Sequence, residues 1–133
     1  MGTEIEMILR ILLATALGAI IGYQRERKGK PAGLRTHILI CVGATLFTIA
    51  SIYGFGSIGD PARVAAGVVA GIGFLGGGVI IHREGGVVEG LTTAATMWAV
   101  AAIGLAAGTG MYIIASATTT ILLLVLFLPH PIR

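Results

Sequence analysis

The chain has 133 residues, 56% of them hydrophobic and only 11% charged, with a mean hydropathy of +0.96. A soluble domain carries roughly 25% charged residues, so the composition argues against a soluble enzyme and for one membrane domain. The formal net charge is +3, but five of the basic residues share one short loop, so the charge reads as membrane topology and not as a nucleic-acid footprint.

About 20 apolar residues cross a bilayer as a helix, and five segments meet that length. The first is Ile5–Tyr23. It is preceded by Glu4 where a secretory signal would carry a basic region, so no cleavable signal is expected. Glu6 and Arg10 stand at the i, i+4 spacing, a pair that lets Arg10 sit shallowly in the membrane, with partner binding as the alternative. The loop Gln24–Arg35 holds Arg25, Arg27, Lys28, Lys30 and Arg35.

The second segment is Thr36–Tyr53. Its Cys41 is the only cysteine and reads as a buried, inert thiol. Asp60-Pro61 then reads as an N-cap followed by a first-turn proline, with a cation ligand at the membrane mouth as the alternative. Arg63 follows one turn on, placed to pair with Asp60 or to reach the interface.

The third segment, Ala62–Ile81, contains Gly71, Gly73, Gly76, Gly77 and Gly78. Glycines in lipid let backbones approach closely or let a helix break beside a cavity, so the run is expected to be the packing centre. Gly71, Gly73 and Gly76 also match the spacing of a dinucleotide-binding loop. That motif needs a preceding strand and an acidic residue some 20 positions on, where Leu91 stands. Gly18/Gly22, Gly67/Gly71 and Gly104/Gly108 are further small-residue pairs that predict close helix contacts, within the chain or across a dimer.

The fourth and fifth segments are Leu91–Ala107 and Met111–Leu128. Only Gly108-Thr109-Gly110 separates them, which predicts a tight helical hairpin. Trp98 is mid-span and is expected inside the bundle. Ser116, Thr119 and Thr120 share one face and read as interhelical hydrogen-bonding groups. His37, His82 and His130 have no spacing that joins them into a zinc site.

The loop 82–90 carries Arg83, and the remaining loops carry no Lys or Arg. The positive-inside rule places both basic loops in the cytoplasm and the N-terminus outside.

An internal repeat is expected. Gly22-Tyr23-Gln24-Arg25-Glu26 followed by Gly33-Leu34-Arg35-Thr36 resembles Ile81-His82-Arg83-Glu84 followed by Gly90-Leu91-Thr92-Thr93. The two copies run parallel, related by an axis along the membrane normal. Glu26 and Glu84 would meet the N-termini of the second and fourth helices, where Thr36, Thr92 and Thr93 are placed to cap. The cluster reads either as carboxylates satisfied by helix ends and Arg35, or as an ion or anion site built from the same groups.

Five blocks, in this order, resemble the MgtC/SapB family of bacterial inner-membrane proteins. They are residues 22–26, 31–37 (Pro31-Ala32-Gly33-Leu34-Arg35-Thr36-His37), 59–65 (beginning Gly59-Asp60-Pro61), 71–78 and 90–98. The five apolar segments give an all-α bundle of about five transmembrane helices over residues 1–133, and the resemblance implies a multi-span protein; many relatives continue into a soluble C-terminal domain, which is not expected in this chain. The resemblance implies a role in ion homeostasis and adaptation to magnesium limitation, and in pathogens in survival inside host cells, exerted by regulating other membrane proteins. A magnesium or other ion transporter or channel is the alternative. Some relatives carry Asn where Thr92 stands. No span holds a nucleophile–base pair, paired carboxylates or a zinc motif, so no enzymatic activity and no cofactor are expected. The expected partners are the lipid bilayer, a second copy of the chain and other membrane proteins. The functional candidates are Arg25, Glu26, Arg35, Thr36, Asp60, Arg63, Glu84, Thr92 and Thr93.

Overall fold

A computed structural model of the chain describes residues 2–56, 59–82, 86 and 88–129. Five helices appear in order: α1 (Gly2–Arg27), α2 (Leu34–Tyr53), α3 (Pro61–Val79), α4 (Leu91–Gly108) and α5 (Tyr112–Leu126). Two short strands between α3 and α4, β1 (Ile81–His82) and β2 (Val88–Glu89), pair antiparallel, with Ile81 opposite Glu89. The protein is an all-α membrane bundle. Helices α1 to α4 are long and apolar enough to span a bilayer. Helix α5 has 15 residues, about 22 Å at 1.5 Å per residue, so it is shorter than the fifth segment read from the sequence. Pro129 explains the early stop: it disfavours helix at Leu128 and cannot continue the ladder.

Local chemistry sets the other boundaries. Gly29 adopts φ +69° just after α1, the left-handed conformation that ends helices at low cost. Asp60 Oδ1 accepts from the Ala62 amide at 3.0 Å with Pro61 in the first turn of α3, so Asp60 is the helix cap its spacing predicts. The α4–α5 hairpin is tight as expected. Gly110 takes φ +88°, and the Met111 amide donates back to the Ala106 carbonyl at 2.9 Å.

Helix α4 is the hub and touches the other four helices. Its Val100, Ile103 and Ala107 meet Ala14, Leu17 and Ile21 of α1, Cys41 of α2 and Ala115 of α5 in the main core. Helices α1 and α5 run parallel: Arg10 reaches Tyr112 near one end and Gln24 reaches Leu126 near the other, with the same sequence offset.

Glycines set the closest approaches, at places other than the glycine run. A Cβ at Gly18 would lie 2.8 Å from the His37 carbonyl oxygen, and one at Gly22 would lie 2.8 Å from Leu34 Cα. Further along the same buried face of α2, a Cβ at Gly104 would strike the Cys41 carbonyl, and one at Gly108 would lie 2.7 Å from Thr48 Cβ. Helix α2 thus meets a glycine pair of α1 along its first half and a glycine pair of α4 along its second, with Cys41 touching both. Thr45 Oγ1 bonds both the Cys41 carbonyl, at 2.9 Å, and the Gly104 carbonyl, at 2.8 Å, across that second contact.

The glycine run of α3 does not form the packing centre of the chain. Gly71, Gly73, Gly77 and Gly78 have no atom of another residue within 4 Å of an added Cβ; only Gly76 meets a neighbour, Ala94. The reason is that α3 packs mainly through Ile72 and Gly76, leaving a wide apolar groove of about 610 Å³ between α2 and α3. Trp98 also departs from expectation: it is 55% exposed, on the side of α4 away from its packed neighbours. Thr119 and Thr120 bond the carbonyls of Ala115 and Ser116 in their own helix, so they do not link helices.

Glycine substitutions should separate the two classes of site. Gly104→Ala should lower stability by about 1–3 kcal/mol, the usual cost of overpacking, whereas Gly71→Ala should leave it unchanged or slightly raised. Reversible unfolding in mixed micelles measures both.

Candidate functional site

Two arginines are buried at opposite ends of α1. Fifteen residues separate Arg10 from Arg25, about 22 Å along the axis. Arg10 is 6% exposed and Arg25 is 4% exposed. Both follow from helical periodicity. Arg10 continues the row Ala14, Leu17, Ile21, and Arg25 continues the row Gly18, Gly22, so each lies on the face that packs.

Arg10 is fully engaged. Its Nη2 pairs with Glu6 Oε2 at 2.7 Å, its Nη1 donates to the Gly108 carbonyl at 2.8 Å, and its Nε donates to Tyr112 Oη at 3.3 Å. Tyr112 Oη in turn donates to Glu6 at 3.0 Å, and the guanidinium lies 5.6 Å from the centroid of Tyr53. This group ties α1 to the C-terminal carbonyls of α4, where a cation is favoured. The expected Glu6–Arg10 pair is present, but Arg10 points into the bundle and not toward the surface.

Arg25 is only partly engaged. Its Nη2 donates to Thr93 Oγ1 at 2.7 Å, and its Nε has no hydrogen-bond partner among the described residues. Nearby, His37 is wholly buried; its Nδ1 meets the Gly33 carbonyl at 2.9 Å and its Nε2 has no such partner. Glu26, one residue past Arg25, turns outward, and its Oε1 accepts from the Leu34 amide at 3.0 Å. This carboxylate on a helix N-terminus is the arrangement expected for the first half of the repeat.

Thr36 and Thr92 do not cap: the cap positions are Gly33 and Gly90, which have no side chain to offer. Glu26 already fills that role at α2, and Thr93 accepts from Arg25. The Thr92 carbonyl takes the Thr96 hydroxyl at 2.7 Å. Arg35 and Arg63 are exposed, and among the described residues Arg63 makes no ion pair with Asp60. Arg83 and Glu84 lie outside the described residues, so the expected place of Glu84 at the start of α4 lies outside them too. The two connections are built differently at Gly33, with φ −111°, and Gly90, with φ +88°. Gln24 and His37, which are not among the functional candidates of the sequence, are both buried at this end. Both are polar residues on a packed helix face at the edge of an apolar segment, and that position is the signal that finds them.

The cluster brings Arg25, Thr93, His37 and Glu26 together at one end of the bundle, with donors and not carboxylates inside. No group of three His, Cys, Asp or Glu side chains able to hold a metal exists among the described residues.

The MgtC family model matches residues 11–133. The chain belongs to the MgtC family. It is 46% identical to the Escherichia coli K12 protein named "Putative magnesium transporter YhiD", over 94% of this chain and 61% of that protein. It is 41% identical to Protein SapB of Bacillus subtilis, over 96% of this chain and 59% of the relative. It is 48% identical to Protein MgtC of Salmonella typhimurium, over 87% of this chain and 49% of the relative. The chain therefore spans only about half to three fifths of the length of these relatives. No solved structure matches it.

Removing either partner of the Arg25–Thr93 bond should loosen α1 from α4. In a double-mutant cycle, Arg25→Gln and Thr93→Val should show a coupling of about 1–3 kcal/mol, typical of a bond to a charged group. Arg35→Gln, at an exposed position, should stay within about 0.5 kcal/mol of the parent.

Proposed function

We propose that the chain is a non-enzymatic protein of the bacterial inner membrane that serves ion homeostasis under magnesium limitation by regulating other membrane proteins. One observation carries this reading. The charged side chains buried in the bundle are arginines, and the described carboxylates, Glu4, Glu6, Glu26, Asp60 and Glu89, are all exposed. Magnesium takes oxygen ligands, usually carboxylates with retained water. Buried guanidinium groups repel a divalent cation, and the α2–α3 groove offers it glycines and apolar side chains. In reconstituted liposomes the purified protein should pass no more magnesium than empty vesicles. Selective, saturable magnesium flux would favour the transporter reading that the name of the Escherichia coli relative carries.

The same reading puts the basic end, with Arg25, Arg27, Lys28, Lys30 and Arg35, in the cytoplasm. With Cys41 replaced, a Lys28→Cys variant should resist an impermeant thiol reagent applied from outside. Labelling of that cysteine in intact cells would reverse the orientation.

Contacts with a second copy form on α3, the least enclosed helix. Ala66, Ala70, Gly73 and Gly77 make one exposed, smooth row along it, and such rows let two helices approach closely. Ala70→Leu and Gly73→Leu should each lower cross-linking between copies several-fold while the unfolding transition is kept. Unchanged cross-linking in both variants would leave α3 facing lipid.

A further inference from the structure

A groove of about 360 Å³ lies between the C-terminal ends of α1 and α5. Its inner walls are Ile20 of α1 and Leu123 of α5, and Phe127 closes one side near the end of α5. Its rim is cationic, formed by Arg27 and Lys28. From Ile20 to Arg27 is about 10 Å along the helix axis, so the groove grades from hydrocarbon to charge over the depth of a lipid headgroup region. Arg27 is braced there: Nη1 donates to Tyr23 Oη at 2.8 Å, and the guanidinium lies 5.7 Å from the Tyr23 ring centroid. Neither Arg27 nor Lys28 is held in an ion pair among the described residues.

Gln24 lines the same groove and is only 7% exposed. Its Nε2 is directed to the Leu126 carbonyl at 3.5 Å, and its Oε1 is buried with no hydrogen-bond partner among the described residues. The Nε2 contact is at the limit of hydrogen-bond length, so a turn of the carboxamide brings its unfilled oxygen to the groove, where it calls for a donor beside the two cations.

We propose that this groove binds one phosphatidylglycerol molecule. The lipid phosphate lies against Arg27 and Lys28, a headgroup hydroxyl donates to Gln24 Oε1, and an acyl chain runs along Ile20 and Leu123. Charge and donor type choose the occupant together. Phosphatidylcholine carries no donor in its headgroup. Phosphatidylethanolamine donates through an ammonium, which the two rim cations repel. Phosphatidylglycerol carries one negative charge and donates through neutral hydroxyls. Basic pockets between transmembrane helices are recurrent sites for anionic lipids.

Native mass spectrometry of the whole chain in detergent, titrated with single lipids, tests the site. Two rim cations predict that the first phosphatidylglycerol binds on the order of 10- to 30-fold more tightly than phosphatidylcholine. Phosphatidylethanol has the same charge and no headgroup hydroxyl, so it should bind several-fold more weakly than phosphatidylglycerol. An Arg27→Gln/Lys28→Gln variant should lose most of the preference over phosphatidylcholine. Gln24→Leu should erase the preference over phosphatidylethanol alone. Equal binding of phosphatidylglycerol and phosphatidylcholine by the parent chain overturns the site, and that measurement needs no variant to fold. Equal binding of phosphatidylglycerol and phosphatidylethanol overturns the role of Gln24. Free glycerol 3-phosphate should not compete; full competition would mean that the groove takes a soluble phosphate and no lipid.

Discussion

Helix α2 lies at backbone-contact distance from both α1 and α4, and the rest of the bundle is arranged around that closeness. In lipid no hydrophobic force pulls helices together, so attraction comes from van der Waals contact and from hydrogen bonds that close approach permits. Gly18 and Gly22 supply the approach to the first half of the buried face of α2, Gly104 and Gly108 to the second half. Once α4 is seated, Thr45 can bond the Gly104 carbonyl. The core cluster of Val100, Ile103 and Ala107 then forms against α1 and α5. Helix α3 is outside this arrangement. Apart from Gly76, its glycines meet open space; it packs mainly on α4, and the groove follows from its sparser contact with α2.

Charge fixes what packing leaves free. A guanidinium in a span is costly unless it finds acceptors. Arg10 finds the last carbonyls of α4, and Arg25 finds a hydroxyl in the first turn of the same helix. One helix is thereby fastened to another at both ends, which sets their relative depth as well as their distance. The two ends are not equivalent. The Arg10 cluster is saturated, whereas the Arg25 end retains unfilled groups on Arg25, His37 and Gln24, and that end carries the chemistry available to other molecules.

Much of this was legible in the sequence. Apolar length gave four of the five helices to within a few residues, apart from the N-terminal start of α1 and its extension to Arg27. The Asp60-Pro61 cap and the α4–α5 hairpin followed from residue types that leave the backbone few alternatives. The glycine run misled for a physical reason: a glycine permits close approach without naming the helix that approaches. Gly67/Gly71 and Gly104/Gly108 look alike in the chain, and only the second pair is met by another backbone. Arg35 drew attention through its motif, yet Arg25 is the buried one. Arg25 shares a face with Gly18 and Gly22, while Arg35 is out of phase with His37, Cys41 and Thr48, the buried side of α2. Threonine at a helix start predicts a cap because it is a good cap in isolation; here Glu26, reaching across the loop, occupies the α2 amide.

The two arginines of α1 also impose an order on assembly. The chain is made from its N-terminus, so α1 enters the membrane with both guanidinium groups before Thr93 and Gly108 exist. Glu6, one turn away, is at hand for Arg10 from the start, but Arg25 has no carboxylate of that kind and must wait near the headgroups until the first turn of α4 arrives. The α1–α2 pair therefore holds one cation without its acceptor until the first turn of α4 is in place, and the arrival of α4 completes the bundle in charge as well as in packing.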